Sequence, residues 1–267
     1  MKPKIVFPEG NDPRIKQAAQ ILREQAICEP VLIGVDVPEQ DRHENAVWQG
    51  AEMVVDGQAH AIVAGAVNST KDVLRAYIKV LGMAEGVHRL TSCFYLKRKA
   101  EQYILADCAV NITPDAATLA ETAQLSAAFA AAMYDFDPKV AFFSLATGDD
   151  MDHPAINHVR DAVKLTREQD PALTVAGPIQ VDAAVSSEIA TTKGMTGSVP
   201  GNANIFIYPD LNSGNIAYKT MERFAGFAAV GPLLLGCKYI AHDLSRGCSV
   251  DDIVAVATVA AKQCQMR

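Results

Sequence analysis

The sequence predicts an α/β protein with a largely parallel sheet. Short β-branched runs alternate with stretches of helical spacing almost to the C-terminus. Helix-start signals follow several of those runs. Of the 267 residues, 49% are hydrophobic and 21% charged, enough apolar material for one large domain or two modest ones.

The elements follow in order. Lys4 to Phe7 is a short apolar strand, and Asp12-Pro13 reads as an N-cap with proline in the first helical position. Apolar residues at 15, 18, 19 and 22 then repeat at helical spacing. Val31 to Gly34 and Ala61 to Gly65 are the next strands, and a helix is expected from about Lys71 to Leu81. Tyr103 to Ala106 and Lys139 to Ser144 are strands flanking a long Ala-rich helix at 115–133. Asn204 to Tyr208 and Tyr239-Ile240 complete the set. Hinges are expected at Gly86 to Arg89 and at Gly231-Pro232, where a helical pattern breaks. They divide the chain into lobe I, 1–87 plus 232–267, and lobe II, 88–231, with the cleft between them as the expected ligand site.

Charge and cysteine usage exclude several classes. A net charge of −7 is the wrong sign for a nucleic-acid footprint. The N-terminus lacks the long apolar stretch of a signal peptide, and the apolar runs 228–237 and 253–261 are too short to span a membrane. The six cysteines contain no CxxC pair, so neither a zinc site nor a disulfide framework is proposed, and a reduced, cytoplasmic protein is expected. Asp149, Asp150, Asp152 and His153 read as an acidic surface loop rather than a metal site. No metal and no permanently bound cofactor are expected.

Open α/β sheets bind ligands beyond the carboxyl ends of their strands, so the polar corners there are the places to look. Four stand out: 8–14, 65–71, 209–215 and 243–252, each expected to lead into a helix start suited to phosphate or carboxylate. No GxxxxGK[ST] or GxGxxG loop is present, which removes the usual support for nucleoside triphosphates or for a dehydrogenase. In the last corner Ser249 and Asp252 have capping-box spacing. The same turn offers Arg246 as a forked cation for an oxyanion and Asp252 as a proton acceptor, and the two readings are compatible. Ser69 or Thr70 fits a helix cap, and Lys71 and Arg75 share a helical face where an anion would relieve their repulsion. Gly214 reads as a turn residue and Lys219 as exposed.

These segments resemble the phosphate acetyl/butyryltransferase family. The resemblance is carried by Pro8-Glu9-Gly10-Asn11-Asp12-Pro13-Arg14, by Val63 to Ala66 with Leu74-Arg75, and by Ala106-Asp107-Cys108 through Asn111. It continues in Val181-Asp182-Ala183-Ala184 and Gly201 to Asn204, then in Pro209-Asp210-Leu211-Asn212 with Gly214 to Lys219. It ends in Gly231-Pro232 and Asp243-Leu244-Ser245-Arg246-Gly247-Cys248-Ser249. It implies two α/β/α lobes of the isocitrate/isopropylmalate-dehydrogenase type, usually as a homodimer. It also implies reversible acyl transfer between coenzyme A and inorganic phosphate, with coenzyme A or acyl-CoA and phosphate or acyl phosphate as the small-molecule partners. Asp252 matches the family's base for the thiol, Arg246 the residue on the acyl phosphate, and Ser245 its hydrogen-bonding neighbour. Arg75 matches a substrate-contacting arginine, and Ser69, Thr70, Ser249 and Asn215 are carried as substrate-binding candidates. Three stretches depart from the pattern. The region between Gly34 and Gly57 is short, the loop after Ser144 reads Leu-Ala-Thr-Gly-Asp-Asp, and Lys193 to Thr196 resembles the butyryl branch. Acyl-chain preference stays open. A non-catalytic binding or oligomerisation domain, like that fused to some malic enzymes, is the alternative, although such domains lack the Ser-Arg-Gly-Cys-Ser run.

Overall fold

The computed structural model describes residues 2–34, 42–148 and 151–266. Asp149, Asp150 and residues 35–41 of the shortened stretch after Gly34 lie outside them. The chain forms two compact units, Met1–Leu90 with Val230–Arg267, and Thr91–Ala229.

In the first unit β1 (Lys4–Phe7) leads into α1 (Pro13–Glu24), capped by Asp12, which accepts from the Arg14 backbone N–H. The residues α1 buries are Ile15, Ala18, Ala19 and Leu22, the stripe its spacing dictates. β2 (Glu29–Leu32), α2 (Arg42–Val55) and β3 (Ala61–Ala64) follow. The second strand thus sits two residues before its expected place, because Ile33 and Gly34 are drawn into bonds with the corner after β1: Ile33 O accepts from Gly10 N, and Gly34 O from Asn11 Nδ2. α3 (Thr70–Ala76) is not one helix to Leu81. It passes into a π-helical turn, Tyr77–Leu81, with the buried Tyr77 hydroxyl donating to His242 O at 3.1 Å.

The second unit opens with an antiparallel hairpin, β4 (Thr91–Arg98) and β5 (Glu101–Ala106), whose first strand has no counterpart in the sequence reading. α4 (Ala116–Tyr134), β6 (Val140–Phe143), α5 (Pro154–Gln169) and β7 (Val175–Ile179) come next. The short helices α6 (Val181–Val185) and α7 (Ser187–Thr192) precede β8 (Ile205–Ile207) and α8 (Leu211–Ala225). Strands β7, β6, β8, β5 and β4 lie side by side in that order, all parallel except β4. Their core includes Leu96, Leu105, Ala141, Phe143, Ile179 and Phe206.

β9 (Ala228–Leu235) carries the chain back to the first unit. The Gly231-Pro232 pair therefore lies inside a strand, not at a break in a helix. β10 (Ile240–Asp243) and α9 (Val250–Gln265) complete the chain. The first unit's sheet is wholly parallel in the order β10-β3-β1-β2, with Ala61 of β3 registered against both Ile5 and Ile240. The corners after β1, β3 and β10 consequently meet at one edge.

Candidate active site

Three of the four corners belong to that edge, and buried polar groups join them. Arg14, at the start of α1, uses all five guanidinium N–H groups. Nε and Nη2 hold Asp12 at 3.1 and 2.8 Å. Nη2 also donates to Ala66 O at 2.7 Å, and Nη1 to Arg246 O and Cys248 O at 2.9 and 3.0 Å. One planar fork thereby ties the start of α1 to the 65–69 corner and to the 245–249 turn. Asp12 holds the Arg14 guanidinium above its ordinary value, and Arg14 holds the Asp12 carboxyl below its own.

Glu9 does the complementary job from the carbonyl side of β1. Its buried carboxylate accepts from the backbone N–H groups of Gly65, Ala66, Val67 and Asn68 and from Asn68 Nδ2, at 2.8 to 3.1 Å. The donors after β3, expected to cradle a substrate anion, are occupied by an anionic side chain of the protein itself. Residue 65 must be glycine here. Its φ is +112°, and an added Cβ would lie 2.2 Å from Asp243 Oδ1.

The turn after β10 is the expected capping box. Ser249 Oγ accepts from Asp252 N at 3.2 Å, and Asp252 Oδ2 accepts from Ser249 N and Ser249 Oγ, both at 2.8 Å. Asp252 Oδ1 makes no hydrogen bond among the described residues, so one oxygen is fixed and the other is open. Ser245, Arg246 and Gly247 are exposed between the buried Leu244 and Cys248. The Ser245 hydroxyl accepts from Gly247 N at 3.3 Å. Arg246 offers its guanidinium to no described partner, in contrast with the fully engaged Arg14. Burial pushes the Cys248 thiol up to about 11, which keeps it protonated at neutral pH and unsuited to act as a nucleophile.

At the start of α3, Ser69 is the cap: its hydroxyl donates to Asp72 Oδ2 at 2.6 Å and accepts from Asp72 N at 3.3 Å. Thr70 Oγ1 instead donates to Asp243 Oδ2 at 2.7 Å. Arg75 is exposed and pairs with Asp72 at 3.7 Å, a charge neighbour that relieves its repulsion by Lys71. Asn215 belongs to the second unit, where its Nδ2 donates to Cys108 O at 3.1 Å. Gly214, expected in a turn, lies inside α8, and its missing side chain lets the helix approach the chain at Asp107: a Cβ would lie 2.3 Å from Asp107 O. Lys219 is exposed as expected. Sequence reasoning gave no role to Glu9, Arg14 or Asp243. A signal existed for Glu9, because Asp12 already supplies the local cap and leaves an acid beside a buried strand without a nearby partner.

A family model described as "Phosphate acetyl/butaryl transferase" matches residues 1–47 and 38–261, nearly the whole chain. The chain belongs to that family. The phosphate acetyltransferase of Bacillus subtilis is 33% identical over 305 aligned positions, covering 97% of this chain and 94% of that protein. The Escherichia coli phosphate acetyltransferase is 32% identical, and its match covers 97% of this chain but 43% of that longer protein. The crystal structure of a phosphotransacetylase from Streptococcus pyogenes superposes with a TM-score of 0.89 at 32% identity, covering 100% of this chain and 95% of that one. Since 305 positions are aligned to 267 residues, at least 38 have no residue here. The two matched segments overlap at 38–47, inside the stretch that the sequence marks as shortened.

Proposed function

We propose that this chain is a phosphate acetyltransferase, exchanging an acetyl group between coenzyme A and inorganic phosphate, with Asp252, Arg246 and Ser245 at the centre of the reaction. The observation that carries the assignment is the contrast within one turn. Among the described residues Asp252 is anchored through Oδ2 and open at Oδ1, while Arg246 beside it has an unengaged guanidinium.

In the direction of acetyl-CoA formation, Asp252 Oδ1 takes the proton from the coenzyme A thiol. A free thiol near pKa 8.5 is mostly protonated at pH 7, so a positioned base raises the thiolate fraction at the moment of attack. The sulfur then bonds to the carbonyl carbon of acetyl phosphate. Arg246 stabilises the negative charge that develops on the carbonyl oxygen, and Ser245 donates a hydrogen bond to the same group. The C–O bond to the phosphoryl group breaks, and phosphate leaves. Thr70 and Arg75 bind the phosphoryl oxygens. Ser69 and Ser249 act through the caps they form, one on α3 and one on the catalytic carboxylate. Asn215 supports the turn at Cys108.

The intact Ser245-Arg246-Gly247-Cys248-Ser249 turn favours an enzyme over a non-catalytic binding domain. No helix among the described residues is long and apolar enough to cross a membrane. The acetyl preference is supported by the names of the relatives, the homodimer by the family resemblance, and a cytoplasmic location by the cysteine usage. The test is phosphate-dependent release of free thiol from acetyl-, propionyl- and butyryl-CoA side by side. Fastest release from acetyl-CoA is expected. A preference for butyryl-CoA would reassign the branch, and no release with any of the three, from folded protein, would contradict the enzymatic reading.

A further inference from the structure

Asp243 is the last residue of β10 and is fully buried. Its Oδ2 lies 2.7 Å from Thr70 Oγ1, and its Oδ1 accepts no hydrogen bond of full geometry among the described residues. A buried carboxylate ordinarily has a cation or several N–H donors; this one has a single hydroxyl in full bonding geometry, with the backbone N–H of Leu244 as its one other donor nearby. In the corner after β1, Glu9 shows the normal solution, with four backbone donors and an amide. The titratable groups that face Asp243 are Glu9, from the corner after β1, whose charge raises its carboxyl further, and Tyr77, from the π-helical turn, a buried phenol that stays neutral. β3 pairs with Asp243 through the Ala64 backbone, Gly65 after it has no side chain to offer, and α9 engages the neighbouring His242 through Gln263 at 2.7 Å. No cation among the described residues offsets the carboxylate.

Thr70 has one hydroxyl hydrogen. While Asp243 is ionised, that hydrogen must point at Oδ2, and Thr70 can offer a ligand only lone pairs. Once Asp243 carries a proton, its own O–H can donate to Thr70 Oγ1, and the threonine hydrogen is released. A phosphoryl oxygen accepts hydrogen bonds and repels a nearby carboxylate, so it favours the second arrangement on both counts. We propose that Asp243 is a positioning residue that couples anion binding at Thr70 to proton uptake, with Thr70 donating to a phosphoryl oxygen only when Asp243 is protonated. The proposal rests on the reading above that Thr70 faces the phosphoryl group. The burial of Asp243, helped by Glu9, lifts its carboxyl to about 7, so the exchange falls in the working pH range.

Phosphate itself titrates near neutrality, so the probe is sulfate, which keeps its charge from pH 6 to 9. Its inhibition constant against phosphate is measured across that range in the parent, Asp243→Asn and Thr70→Val. In the parent the constant rises above neutrality by up to about tenfold per pH unit, the limit for one linked proton. Asp243→Asn, whose amide donates to Thr70 at every pH, removes the slope. Thr70→Val weakens sulfate at low pH. A parent without slope, or an Asn variant that keeps it, overturns the proposal. Unchanged sulfate binding in Thr70→Val overturns the proposal together with the placement of Thr70 on the phosphate. Calorimetry on the parent alone gives a second measurement that needs no variant to fold. Near pH 7, sulfate binding should take up about half a proton, read from its dependence on buffer ionisation enthalpy. No uptake overturns the proposal.

Discussion

Each unit seats one buried carboxylate among backbone N–H groups at the end of a parallel strand, and the two arrangements differ in reach. Asp107, following β5, accepts from Ala109, Val110 and Asn111 N and from Asn111 Nδ2, all within four residues, and from the Ser92 hydroxyl. Glu9 accepts from a corner 56 to 59 residues away. The first is a local turn that closes on itself. The second joins two segments that only the folded sheet brings together, and one of them continues into α3 with Thr70 and Arg75. A local nest shapes one loop, whereas a long-range nest makes the placement of one loop depend on another. The candidate catalytic residues lie on the unit with the long-range nest, where Arg14 extends the same network to the 245–249 turn.

The sharpest way to break this comparison is to remove each carboxylate in turn. Glu9→Ala leaves four backbone N–H groups without an acceptor, three of them on buried residues. At about 1–3 kcal/mol for each buried unsatisfied donor, a loss of several kcal/mol is expected in urea unfolding. Asp107→Ala should cost about 1–2 kcal/mol, because residues 109–111 are only half-buried and water can replace the lost acceptor. An Asp107 variant that loses more than the Glu9 variant would invert the account.

Gly214→Ala sharpens the comparison from the side of the second unit. Alanine normally favours a helix interior over glycine by about 1 kcal/mol. Here the new methyl would overlap Asp107 O, so a net loss of about 1–3 kcal/mol in thermal unfolding is expected. A gain in stability would show that α8 does not approach that carbonyl closely.

The smallest net effect, in the parent, is a pH dependence in which adjacent residues oppose one another. Asp243 titrates at about 7 in the fold against an ordinary 3.8, because burial disfavours its charge. The folded protein therefore keeps a proton that the unfolded chain has released, and stability falls as pH rises from about 4 to 7. His242 is pushed by burial from 6.5 to about 4, so the folded protein lacks a proton that the unfolded chain binds, and stability falls as pH drops through that window. In Asp243→Asn the first slope disappears. The unfolding midpoint of that variant should gain on the parent steadily between pH 4.5 and 7 and stay parallel above. A constant difference across the range would contradict the raised carboxyl.

Much of this was legible in the sequence. The α1 stripe, the Asp12 cap and the Ser249–Asp252 box are local, set by spacing and side-chain type within a few residues, and they stand where the pattern put them. β4, α5 and β9 were missed or misread. β4 is buried over most of its length and shows no alternation, and β9 contains Gly231-Pro232, which reads as a breaker when its strand partners are unknown. The roles of Glu9, Arg14 and Asp243 depend on partners 52 to 234 residues away, which no local pattern encodes. Asn215 was legible as a polar residue in the right corner, but its amide serves the Cys108 turn.

The most direct test of the central claim is the turnover of Asp252→Asn in phosphate-dependent release of coenzyme A, measured beside its urea midpoint. The asparagine keeps an oxygen to accept from Ser249 N and cannot take the thiol proton. Turnover should therefore fall on the order of 10² to 10⁴ while the midpoint moves by no more than a capping change of about 1 kcal/mol. Turnover equal to the parent, with the protein folded, would remove Asp252 from the chemistry.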